Sequence, residues 1–140
     1  MQWKQKHMGK QLHDEYGSSL VELALLLPVF LLLILGLLEL GRSFRSYIAL
    51  DNAAREGARW LTVYPSDSDG ARTVITTEAA RAGLNTNQLT ITITPVKSQY
   101  QAGDLVTVRV ACAYPLLFGA ITKLTTLSLV AQVTMRVLYG

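Results

Sequence analysis

The chain has 140 residues, of which 50% are hydrophobic and only 16% charged, and its formal net charge is +3. That length suits one domain with a modest core. The Lys and Arg residues are spread thinly and lack interleaved aromatics, which excludes a nucleic-acid interface of the usual basic kind. The lone cysteine, Cys112, excludes an internal disulfide and leaves the redox compartment open.

In chain order, residues 1–17 form a short basic, polar leader containing Lys4, Lys6 and Lys10 and ending at Gly17. Then "LVELALLLPVFLLLILGLLEL" runs from Leu20 to Leu40, with 16 uncharged residues between Glu22 and Glu39. As a helix, those 16 residues rise about 24 Å, and adding Leu20, Val21 and Leu40 brings the segment to the roughly 30 Å of a bilayer core. The run is apolar on every side, which disfavours a core helix of a soluble domain. We therefore expect a transmembrane helix over 18–41, in contact with membrane lipid. Pro28 removes one backbone donor and should kink or locally open that helix, a defect that membrane helices tolerate. No small-x-small cleavage site follows the run, so it does not read as a removable secretion signal. Three lysines precede it, and Arg42, Arg45, Arg55 and Arg59 follow, so charge alone leaves its orientation open.

"YGSSLVE" joins the leader to the span. Counting Ser18 as the first residue after a cut at Gly17, Glu22 is the fifth. This arrangement resembles the processing site of type IV-type prepilins, in which a leader ends in Gly and the hydrophobic segment stays in the product. The resemblance implies a prepilin peptidase as partner, with Gly17 and Ser18 as the processing site. It also implies that Glu22 meets the new amino terminus of a neighbouring subunit. Within one helix, residues four apart share a face. The plainer alternative is a carboxylate reaching to the lipid interface.

The helix should continue outside the membrane over 42–64 and end at Pro65. Phe44, Tyr47, Ile48, Ala54, Ala58 and Leu61 fall at helical spacing along one stripe, interrupted by Asp51. Asp51 and Arg55 are placed to pair one turn apart. Gly57 weakens the helix by about 1 kcal/mol relative to Ala. With Ala53, Ala54 and Ala58 it makes a smooth patch, which either receives another helix or packs on the chain's own sheet. The span, with Glu22, Pro28, Gly36, Glu39, Gly41 and Arg42, followed by "LDNAAREGARW", resembles the TadE-like family, minor pilin-like proteins of the tight-adherence (Flp-type) pilus system. The match is dense from about residue 17 to 60 and loose beyond. It implies a bacterial envelope protein needed for pilus assembly, with other pilin-like subunits and the pilus assembly platform as partners, and no catalytic activity.

Residues 65–140 read as a small α+β domain. "PSDSDGAR" has turn composition. A short helix is expected over 73–82, with Thr73 as cap and Gly83 as stop. "LTITIT", "DLVTVRVACAY" and "LSLVAQVTMRVLY" alternate with the period of strands. Val106, Val108, Val110 and Cys112 share one face of the second, and Leu127, Leu129, Ala131, Val133, Met135 and Val137 one face of the third. Together they predict an antiparallel sheet of about three strands with one face on the helices, and a buried Cys112 thiol. The threonine face of the first strand could offer an edge for strand addition. The apolar connection "PLLFGAITKLTT" could cover the sheet, touch the membrane or meet a partner.

Catalytic chemistry has little to stand on. A cut after Gly17 removes both histidines, His7 and His13. No Cys/His metal cluster or Gly-rich phosphate loop is present, and no cofactor is expected. Asp67 and Asp69 read as a solvated turn. The expected protein is a single-pass inner-membrane pilin-like subunit with its C-terminal domain outside the cytoplasm, carried into an extracellular pilus or left at its base. The alternative is an uncleaved single-span scaffold or adaptor of an envelope secretion or pilus machine.

Overall fold

The computed structural model describes residues 8–97, 100–117, 119, 123 and 125–138. Residues 1–7 of the leader lie outside the described residues. Helix α1 is Met8–Val63, helix α2 is Ser68–Arg81, and the strands are β1 (Leu89–Thr94), β2 (Leu105–Pro115) and β3 (Thr126–Arg136). The chain divides into two compact units, Met1–Leu40 and Gly41–Gly140.

In the first unit the helical assignment is unbroken through Pro28. From Gly17 to Leu40 no residue is buried, and only Leu35 and Glu39 are half-buried. An all-apolar surface of this kind has no aqueous counterpart. The helix has the length and composition to cross a membrane.

The second unit is α+β. Its sheet has the order β1-β2-β3, and both pairings are antiparallel. Register places Ile91 opposite Val110 and Val110 opposite Ala131, with Ile93, Val108 and Val133 aligned one pair along. One face of the sheet is therefore an aliphatic patch. It joins Leu50, Ala53, Ala54, Ala58 and Leu61 of α1 and Ala71, Ile75 and Ala79 of α2 in a single core. Val106, Val108 and Val110 are fully buried and Cys112 nearly so, as the alternation predicts. The opposite face carries polar residues, including a Thr107–Thr134 hydroxyl contact of 2.8 Å.

Two sequence expectations are corrected here. The stripe along α1 is buried only in its second half, where Ala54, Ala58 and Leu61 are covered, whereas Phe44, Tyr47 and Ile48 are exposed. The buried face instead runs through Ser43, Leu50, Ala53, Ala54, Gly57, Ala58, Leu61 and Thr62. Small side chains there bring the helix close to its neighbours, and close approach rather than side-chain size decides which face is covered. The other correction concerns α2, which starts at Ser68, five residues before the expected start. Its cap is Asp67, whose Oδ1 accepts from the Gly70 N–H at 2.8 Å, while Oδ2 accepts from Trp60 Nε1 at 3.1 Å. Thr73 lies inside the helix and donates to the Asp69 carbonyl.

The stop at Gly83 is as expected. Gly83 has φ +80°, its N–H donates to the Ala80 carbonyl, and the Leu84 N–H donates to the Ala79 carbonyl. These two bonds close the helix with a left-handed residue that glycine adopts without strain. Half-buried Leu84 then packs on the core. Asp67→Ala is expected to lower stability by about 1–2 kcal/mol, since it removes both the cap and the bond to Trp60. Asp67→Ser should recover part of this, because serine can cap but does not reach Trp60. Denaturation midpoints of the two variants check the order.

The β1–β2 connection is tied by Lys97, which donates to Asp104 Oδ2 at 2.8 Å; the Gln101 N–H donates to the same oxygen at 3.1 Å. Lys97 first, then the backbone bond, holds the Asp104 carboxyl below its ordinary range. Of the β2–β3 connection, residues 118, 120–122 and 124 lie outside the described residues.

Candidate functional site

Gly17, Ser18 and Glu22 all lie on α1 and are exposed. A side chain at Gly17 would meet nothing within 4 Å, so packing in this chain does not require glycine there. Glycine still makes this the weakest point of the local helix, by about 1 kcal/mol. Ser18 and Glu22 are four residues apart, which puts their Cβ atoms about 5–6 Å apart on one face. An amino group freed at Ser18 would therefore lie on the same face as the Glu22 carboxylate, in surroundings that are otherwise apolar.

The patch of Ala53, Ala54, Gly57 and Ala58 is not available to another subunit. The three alanines are fully buried. A Cβ at Gly57 would come within 2.5 Å of Ile75 Cδ1 and closer still to Ile75 Cγ1. The helix that approaches this patch is the chain's own α2, and the patch builds the domain core. Asp51 and Arg55 pair as expected, with Oδ2 2.8 Å from Nε. Both groups reach solvent, so the bond contributes only a few tenths of a kcal/mol.

An open cleft of about 250 Å³ lies beside the start of this unit, lined by Arg42, Ser46, Asn85, Gln88, Cys112 and Tyr114 among others. The Arg42 guanidinium carbon is 5.8 Å from the centre of the Tyr114 ring, within cation–π range. Cys112 is 4% exposed, and burial pushes its thiol above the ordinary value. That holds the protonated, weakly nucleophilic form at neutral pH. Among the described residues, no group of three His, Cys, Asp or Glu side chains could hold a metal ion.

Sequence reasoning missed the Trp60–Asp67 bond and the Arg42–Tyr114 contact. The first had a local signal, an aspartate three residues before a glycine at a helix start. The second joins residues 72 positions apart and left no trace in local pattern.

Among known proteins, no curated sequence and no solved structure matches the chain. The family model described as TadE-like protein matches residues 17–59. That interval holds Gly17, the apolar helix with Glu22, and the small-residue face that packs on α2. Over that segment, less than half of its length, the chain is similar to the TadE-like family.

Proposed function

We propose that this chain is a minor pilin-like protein needed to assemble a tight-adherence (Flp-type) pilus. In this reading the span anchors it in the bacterial inner membrane with the globular unit outside the cytoplasm. A prepilin peptidase cuts after Gly17, and the mature chain begins at Ser18. The observation that carries the reading is the TadE-like match from Gly17 onward, over a helix whose apolar surface is left uncovered. Such a surface needs either lipid or the apolar helices of other subunits. A pilin-like protein uses both, first in the membrane and then in a bundle. The helix runs through the Gly17–Ser18 bond, so the peptidase must open it locally, and glycine lowers that cost.

The test is the intact mass and N-terminal sequence of the protein from its native membrane, with and without the peptidase. A start at Ser18 that depends on the peptidase is the expected result. A chain that begins at Met1 in both cases would replace this reading with the uncleaved scaffold or adaptor.

A further inference from the structure

The sheet ends in β1 on one side and β3 on the other, and these two edges differ. The Val137 N–H donates to the Asp104 carbonyl and the Thr125 carbonyl accepts from the Leu116 N–H, so odd-numbered residues face β2 at both ends of β3. Alternation of bonding along an antiparallel ladder then fixes the rest. In β3 the N–H and C=O groups of Thr126, Ser128, Val130, Gln132, Thr134 and Arg136 point away from β2. In β1 those of Leu89, Ile91 and Ile93 point outward. The β1 edge is closed. Arg72 of α2 donates from Nη1 to the Ile91 carbonyl at 3.1 Å, and the strand ends after six residues, just before Pro95. The strand whose threonines suggested strand addition is therefore the poorer template. The β3 edge runs for 11 residues without proline, glycine or lysine, and its one charge is Arg136 at the end. Among the described residues, no other backbone segment bonds to its outward groups.

The core also thins toward this edge. Ala131 is buried, but Leu129, Val133 and Met135 on the same face are only half-buried and Leu127 is 41% exposed. A strand added to β3 would cover their open flanks with aliphatic residues at every second position. On the opposite face the three strands present Arg109 and Arg136, both exposed, and no carboxylate. The polar positions of an added strand are therefore suited to acids. We infer that β3 is a docking edge for an extended segment of a partner protein, in which aliphatic residues alternate with polar ones that include Asp or Glu. A second copy of this chain does not fit the edge. Arg42 lies over Tyr114, which pairs with Leu127 near the start of β3, and the Leu138 N–H beyond its end donates to the Thr62 carbonyl at 2.9 Å. Within the globular unit, α1 thus runs beside β3 in the same sense. Antiparallel two-fold pairing of β3 with its copy would reverse the second α1, so the two chains would enter the shared sheet at opposite ends, about 37 Å apart. Two chains anchored in one membrane must enter from the same side. Parallel two-fold pairing would turn one sheet over, and the aliphatic face of one copy would continue into the polar face of the other.

Exclusion of the second copy rests on the membrane-anchored reading above, whereas the open edge does not, and the test keeps the two apart. Amide hydrogen exchange is followed in the full chain in detergent micelles, with and without a synthetic peptide in which valine alternates with threonine and glutamate. In the chain alone, the amides of Ser128, Val130 and Gln132 are expected to exchange at least about tenfold faster than those of Ala131 and Val133, which bond to β2. The peptide should slow the outward amides and leave the others unchanged. The same peptide with lysine for glutamate, or with alternate amides N-methylated, should bind at least about tenfold more weakly. Gln132→Pro removes an outward N–H without touching the ladder to β2, so it should abolish peptide binding while Ala131 and Val133 stay protected. Outward amides already protected in a monomeric chain would overturn the docking edge and leave the membrane reading standing. The same protection in a dimer would count against both. No slowing by the peptide would overturn the edge, and equal binding of the lysine peptide would overturn the acidic partner. If Gln132→Pro does not fold, the N-methylated peptide decides alone: undiminished binding would show that the contact is not strand pairing.

Discussion

Gly57→Ala is expected to destabilise the globular unit by about 1–2 kcal/mol, although alanine is the better helix former by about 1 kcal/mol. The new methyl would stand 2.5 Å from Ile75 Cδ1 and closer still to Cγ1. Cγ1 is bonded to Cβ, so it can move away only by rotating χ1 or by shifting α2. Ile75 is fully buried and has no free volume in which to rotate. Overpacking then outweighs propensity. Ile75→Ala alone should cost about 2–5 kcal/mol through lost burial and a cavity. The double variant is the sharper measurement. Its new methyl enters the space that Ile75 vacates, so it should be no less stable than Ile75→Ala alone. The resulting coupling should be about 1 kcal/mol or more. Gly41→Ala is the control, since a Cβ there meets nothing within 4 Å, and it should be neutral or slightly stabilising. Denaturation of the full chain in detergent, followed by near-UV circular dichroism, gives all four values. Additive costs for the two substitutions would mean that the Gly57–Ile75 contact is slack.

The same contact explains which parts of the fold were legible. Strands announced themselves because burial of one sheet face imposes a strict period of two on the sequence. Residues 89–94 were placed correctly from threonine–isoleucine alternation alone. The stripe expected on α1 was half right, with Ala54, Ala58 and Leu61 buried, but it left out Leu50, and alanine and glycine carry little hydrophobic signal. Phe44, Tyr47 and Ile48 outweighed them in the pattern, while Asp51 in the same stripe was the clue that this side is not core. The start of α2 was hidden for a different reason. Turn-like composition at residues 66–70 is also what a capped helix start contains. Glycine at position 70 is what admits the cap, since a Cβ there would overlap Asp67 Oδ2. Gly17, Ser18 and Glu22 were singled out by their spacing alone, and the fold of one chain does not test the roles that spacing implies. What the Glu22 carboxylate meets is not written in one chain, because its expected partner belongs to a second copy or a relative.

Glu22→Gln is expected to abolish pilus assembly while the protein remains in the membrane and still begins at Ser18. Glutamine keeps the size and one acceptor but loses the charge. In the proposed pairing, each subunit brings a new amino group into an apolar bundle, where the neighbour's Glu22 neutralises it. Without that carboxylate the ammonium is buried unpaired, at a cost of about 3–5 kcal/mol. At about 1.4 kcal/mol per factor of ten, each contact weakens roughly 100-fold to 1,000-fold or more. A fibre or its initiating complex depends on that contact in every participating copy, so the loss should approach completeness. Glu22→Asp should retain a fraction of assembly, because the charge survives one methylene short of its position. Electron microscopy of sheared pili, immunoblots of the membrane fraction and N-terminal sequencing keep assembly, abundance and processing apart. Unchanged piliation in Glu22→Gln would show that no buried amino group depends on the charge. Glu22 would then be an interfacial carboxylate, exposed to lipid headgroups as it is exposed on the isolated helix.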